Sequence, residues 1–197
     1  MMTTRTIRTA IALALAALLG GAFAQLGDAL GTVEATFRGE ERTWTTYDYA
    51  QTEEEGVPAS ANYVPFPGGR MEVSITAFPE GATRDTIDGR LSISFVANGF
   101  PDACPCEFED TTVLYFDDDT YFGDAFAASD DQGSVTLTFT RFERLEDGTV
   151  VAEGTIDAVL AFLPGEESER SADEVEPETL EGGLETRIAP DREISIE

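Results

Sequence analysis

The chain has 197 residues, with 39 Asp and Glu against 12 Arg and neither lysine nor histidine, giving a formal charge of −27. Without histidine there is no Ser-His-Asp or Cys-His nucleophile, no histidine general base and no His-ligated zinc or copper. Composition leaves open carboxylate chemistry on a glycosidic bond and oxygen-ligated sites of the calcium kind. So acidic a surface repels phosphate and anionic lipid, which argues against nucleic acid and membrane-surface binding.

At the start, Arg5 and Arg8 precede an apolar run from Ile11 to Leu19 that ends in Ala22-Phe23-Ala24, the pattern of a secretory signal with its cleavage site. The run is too short to span a bilayer, and no Cys follows it where a lipid anchor would be attached. The expectation is a signal peptide over residues 1–24 and a mature protein, secreted or periplasmic, starting at Gln25. Removing the leader leaves 173 residues, enough for one domain, and moves the formal charge to −29.

Beyond the leader the hydrophobic period is two. Val33, Ala35 and Phe37, then Met71, Val73, Ile75 and Ala77, then Leu91, Ile93, Phe95 and Ala97 alternate with mostly polar neighbours, as half-buried strands do. Further strands are expected at Arg42 to Tyr49, Tyr63 to Phe66, Thr111 to Phe116, Ser134 to Leu145 and Thr149 to Phe162, separated by Gly, Pro, Asp and Asn. One-sided strands need a second layer to cover them. The fold class is therefore all-β: an antiparallel β-sandwich or small closed barrel of roughly eight strands, in a domain over residues 25–164.

Two hairpins follow from turn chemistry. A type I′ turn at Asp147-Gly148 sets Phe139 opposite Ile156, Leu137 opposite Ala158 and Val135 opposite Leu160, with Gly154 facing Arg141 at a candidate bulge. A turn at Gly39-Glu40 brings Trp44 beside Ala35. In this register Arg141 and Glu143 continue the apolar face of their strand, which would set charge against lipid in an outer-membrane barrel and so argues against membrane insertion.

Three features carry candidate chemistry. Cys104-Pro105-Cys106 reads as a local disulfide in an oxidising compartment, with a redox pair, an intermolecular bridge or a soft-metal site as its alternatives. Glu107, Glu109 and Asp110 beside it suppress thiolate and weaken the redox reading. Asp117, Asp119 and Asp124, in a run dense with acid and glycine, are candidate calcium ligands, although the spacing is not that of an EF-hand and a solvated loop explains them as well. Tyr47, Tyr49, Tyr63, Phe66, Tyr115, Tyr121, Phe122 and Phe126 gather near loops and strand ends, as core anchors or as a face for sugars or peptides.

After Pro164 the composition changes: residues 166–197 hold 12 acidic residues, three Arg and no aromatics. Residues 165–197 read as a flexible acidic tail, with Leu184, Thr186, Ile188, Ile194 and Ile196 alternating well enough to add a terminal edge strand. The functional expectation is an exported, non-enzymatic binding or structural module without a required cofactor, its partner an unidentified protein or glycan. One rival is a glycosidase-like hydrolase using acids among Glu72, Glu107, Glu109, Asp117 and Asp157. Another is a calcium-stabilised adhesive or matrix domain.

Overall fold

Among the described residues eleven strands form, most of them where apolar side chains alternate or cluster. A computed structural model describes residues 26–49 and 59–191; the expected leader over 1–24 and the Ile194 and Ile196 patch lie outside them. The strands are β1 (Asp28–Phe37), β2 (Glu40–Asp48), β3 (Ala61–Pro65), β4 (Arg70–Pro79), β5 (Leu91–Asn98), β6 (Cys106–Glu107), β7 (Glu109–Phe116), β8 (Ala125–Ala128), β9 (Ser134–Arg144), β10 (Val150–Leu163) and β11 (Glu178–Pro190). Every apolar residue named above for β1, β4 and β5 is buried. β8, Ala125-Phe126-Ala127-Ala128, escaped the sequence reading because all four residues are buried and nothing alternates.

Eight strands close a ring in the order β1, β2, β4, β5, β7, β8, β10, β11 and back to β1, each neighbouring pair antiparallel. The choice between sandwich and barrel resolves to a closed barrel, because long strands divide their edges between two partners. β4 pairs with β3 over Met71 to Ile75 and with β2 at Phe78 and Pro79. β10 pairs with β9 from Val150 to Val159 and with β8 from Ala161 to Leu163. β3 also runs parallel to the end of β11, and β6 lies on β9.

Both hairpin registers differ from expectation: the first by two residues, which preserves the face while changing the partners, and the second by one residue next to its turn and by two beyond a bulge. The first turn is Arg38-Gly39, with φ of 54° and 74°, and it sets Trp44 opposite Val33 and not Ala35. In the second, Gly148 N–H donates to Leu145 O at 3.1 Å, closing the three-residue loop Glu146-Asp147-Gly148 in which only Gly148 has positive φ. That is a type I turn with a left-handed glycine, not the type I′ turn expected. Thr140 is then bulged out opposite the Glu153–Gly154 step, so Ile156 pairs with Leu137 and Ala158 with Val135. The bulge has a second effect. It turns Phe142 inward and leaves Arg141 and Glu143 on the exposed side, where Arg141 pairs with Glu143 and Glu153.

The stretch expected as an acidic tail holds a single 3-10 turn, Ala172–Glu174, and then β11. This strand is not at an edge: β10 lies along one side and β1 along the other. Leu180, Leu184, Thr186 and Ile188 are buried while Glu181, Glu185 and Arg187 face solvent, so the barrel runs to Pro190 and not to residue 164. Net acidity concealed the strand because composition averages a buried face with an exposed one.

The barrel interior is filled by side chains. Phe37, Trp44, Phe95, Phe126, Phe139 and Phe162, each at most 2% exposed, pack with Ile75, Ile93, Ile156 and Leu160 in one continuous cluster. Burying each such side chain contributes about 1.5–3 kcal/mol. Polar groups inside are satisfied: Trp44 Nε1 donates to Gly89 O at 2.7 Å, Tyr63 Oη donates to Gly148 O at 2.9 Å, and the Thr46 and Thr186 hydroxyls bond each other at 2.7 Å.

Candidate functional site

The loop between β7 and β8, residues 117–124, and the segment after β10, residues 164–170, meet at one end of the barrel and form an open groove of about 770 Å³. Their contact depends on Gly165. A Cβ on Gly165 would lie 2.6 Å from the Phe122 carbonyl oxygen and from the Gly123 carbonyl carbon, so only glycine lets the two backbones come this close. The Glu166 N–H donates to Phe122 O at 3.0 Å across that contact.

Arginines fix the loop from three sides. Arg38, at the β1–β2 turn, donates to both carboxylate oxygens of Asp117 at 2.8 and 3.1 Å and to Glu178 at 3.2 Å, and its guanidinium lies 4.7 Å from the Phe126 ring centroid. The hydrogen bond to Asp117 is the main reason the Arg38 pKa is raised. Arg170 pairs with Asp124 and lies over Phe162 at 4.6 Å, with Asp117 3.8 Å away. Burial opposes ionisation of Asp124, but hydrogen bonds from Gly165 N–H, Arg170 and Ser168 outweigh it and lower the pKa. Arg90, itself buried, donates to Tyr121 Oη at 2.7 Å and to Thr86 O.

The three candidate calcium ligands are not brought together. Asp117 is taken by Arg38, Asp124 by Arg170 and Gly165, and Asp119 is exposed along the groove. Among the described residues no three acidic or sulfur side chains gather as metal ligands. Nothing in the sequence marked Arg38, Arg90 or Arg170 as anchors, since the loop residues they hold, Asp117, Tyr121 and Asp124, are 79, 31 and 46 residues away along the chain.

Cys104 and Cys106 lie at disulfide distance, and both pack against the core beside β9, where Cys106 pairs with Phe139. The aromatics divide by position. Tyr49, Tyr63, Tyr115 and Phe126 are buried, Tyr47 and Phe66 half-buried, and only Tyr121 and Phe122 stand out, at 61% and 73% exposure. Burial raises the pKa of Tyr49 and Tyr115, with Arg84 and Arg42 respectively opposing it.

Of the acids proposed for hydrolysis, Asp117 is part-buried in its pair with Arg38, Glu107 and Glu109 share a shallow open groove with Asp110 and Asp130, and Glu72 and Asp157 lie elsewhere on outward strand faces. Glu72 pairs with Arg70, Glu109 accepts from Asn98 at 3.3 Å, and Glu107 accepts from Thr138 at 3.3 Å. Asp157 does face a second acid, Glu181, directly across β10 and β11, and Glu153 faces Glu185 in the same way. Both pairs lie on the outward face of the sheet, where water screens them, and the groove along Glu153 and Glu185 is open to solvent. No family model, no curated protein and no solved structure matches this chain.

Proposed function

We propose that this protein is an exported, non-enzymatic barrel module that binds a protein or glycan through its outer surface, in the periplasm or outside the cell. The observation carrying this reading is the interior: one packed cluster occupies it, while Glu72, Glu107, Glu109 and Asp157 lie on exposed strands and loops and Asp117 is committed to Arg38. Export rests on the leader pattern, Arg5 and Arg8 before Ile11 to Leu19 and Ala22-Phe23-Ala24. The outward carboxylates of β1, β10 and β11, among them Glu34, Asp157, Glu181 and Glu185, support a role away from nucleic acid and lipid. No cofactor is invoked.

The test pairs turnover with binding. The purified protein is incubated from pH 4 to 8 with polysaccharides, peptides and esters, and is probed in parallel on glycan and peptide arrays. Saturable binding without turnover supports the module. Hydrolysis abolished by Asp157→Asn or Glu107→Gln overturns it in favour of the hydrolase. A melting temperature that drops in chelator and returns with calcium overturns it in favour of the calcium-stabilised domain.

A further inference from the structure

We infer that the groove between residues 117–124 and 164–170 is a docking site for an arginine-bearing segment of a partner protein. This deepens the module reading and rests on it. Among the described residues the only large apolar side chains left exposed are Tyr121, Phe122 and Val159, and the first two are adjacent on this loop. Exposed aromatics on a fixed support are what interface hot spots are made of, because no ordering entropy has to be overcome on binding. Here the support is fixed: Arg38 holds Asp117, Asp117 N–H donates to Asp124 O at 2.9 Å, Arg90 holds the Tyr121 hydroxyl, and the Tyr121 ring meets Phe116 edge-on at 5.9 Å.

Charge decides the occupant. Asp118, Asp119, Glu166, Glu167 and Glu169 line the same groove as Phe122, and among the described residues none of the five has an ion pair. The one arginine in the lining, Arg170, is committed to Asp124. The groove therefore offers an aromatic surface ringed by unneutralised carboxylate, which selects a cation. Arginine suits it better than lysine, because a planar guanidinium stacks on a ring while donating two hydrogen bonds to one carboxylate. The protein holds its own arginines in this way at the same loop: Arg38 bonds Asp117 and lies over Phe126, and Arg170 bonds Asp124 and lies over Phe162. An incoming arginine on Phe122, with Asp119 or Glu167 beside it, would repeat that arrangement.

The probes are fluorescein-labelled arginine and lysine octamers, titrated by fluorescence anisotropy against the purified full chain in 150 mM salt. Arginine is expected to bind several-fold more tightly than lysine. Phe122→Ala, and separately the pair Asp119→Asn with Glu167→Gln, are each expected to weaken arginine binding about tenfold. The charge-matched pair Glu107→Gln with Glu109→Gln, in β6 and at the opposite end of β7, is expected to leave it within about twofold. All variants should keep the parent melting temperature, since every changed side chain is exposed. Equal affinity for lysine, no loss in Phe122→Ala, equal loss in the remote pair, or no binding overturns the site. None of those results produces turnover, so they leave the module reading standing; hydrolysis in the substrate panel would overturn that reading independently.

Discussion

Asp157 on β10 and Glu181 on β11 are directly opposed, both exposed, and neither has an ion pair among the described residues. Cross-strand partners have Cβ atoms about 4.5–5.5 Å apart, which puts the two carboxylates roughly 6 Å apart. At that distance two unit charges in a dielectric of 80 repel by about 0.7 kcal/mol. In 10 mM salt the screening length is about 30 Å and most of this survives, whereas in 1 M salt it is about 3 Å and nearly all is lost. A double-mutant cycle of Asp157→Asn and Glu181→Gln, read by urea denaturation, should therefore show a repulsive coupling of about 0.5–0.7 kcal/mol at low salt and below about 0.1 kcal/mol in 1 M salt. Either single variant should be more stable than the parent at low salt, raising the melting temperature by about 1–3 °C. No coupling in dilute buffer, or a coupling that persists undiminished in 1 M salt, would refute the electrostatic reasoning. The same result bears on the hydrolase reading, in which Asp157 should be costly to alter for activity, not beneficial to remove for stability.

Thr46→Val or Thr186→Val alone should cost about 0.5–1.5 kcal/mol, the worth of one hydrogen bond, because the remaining hydroxyl keeps a carbonyl acceptor, Gly31 O for Thr46 and Arg187 O for Thr186; chemical denaturation reads the loss. Gly148→Val should cost about 1–3 kcal/mol through strain at a φ of 88°. The sequence alone suggests that Gly165→Val, beyond the expected last strand, is mild; with its Cβ 2.6 Å from backbone of residues 122 and 123 it should instead cost about as much by overpacking, visible in thermal melts. As for pH, the lowered pKa of Asp124 means that its contribution is present above the unfolded value of about 3.9 and is lost as pH falls through the folded value. Tyr49 and Tyr115 are raised, so the unfolded chain ionises first and stability should decline as pH climbs through about 10. Circular dichroism across a pH series checks both limits, and an Asp124→Asn variant that loses stability in acid as steeply as the parent would remove Asp124 from the account.

The sequence by itself determined which residues face the core. Alternation in β1, β4 and β5 set parity, which held in the first hairpin, where the register moved by two residues, and beyond the bulge of the second, but not between that bulge and the turn, where a one-residue shift puts Phe142 inside and Arg141 and Glu143 outside. It also determined that the charge lies outside, since 39 acids cannot be buried without partners. Register itself came from contacts that local sequence does not encode: the bulge at Thr140 lets both Phe139 and Phe142, which an unbroken alternation would send to opposite faces, pack in one aromatic cluster with Phe95 and Phe108. β11 joined the barrel for the same kind of reason, since Leu180, Leu184 and Ile188 become buried when the strand pairs with β1 and β10, which the sequence around them does not announce. The groove was the least accessible of all. Asp117, Asp124, Tyr121 and Phe122 stood out as acids and aromatics, but what separates an anchored carboxylate from a free one, or a buried ring from an exposed one, is the position of Arg38, Arg90 and Arg170, and closure of the barrel alone puts those three around one loop.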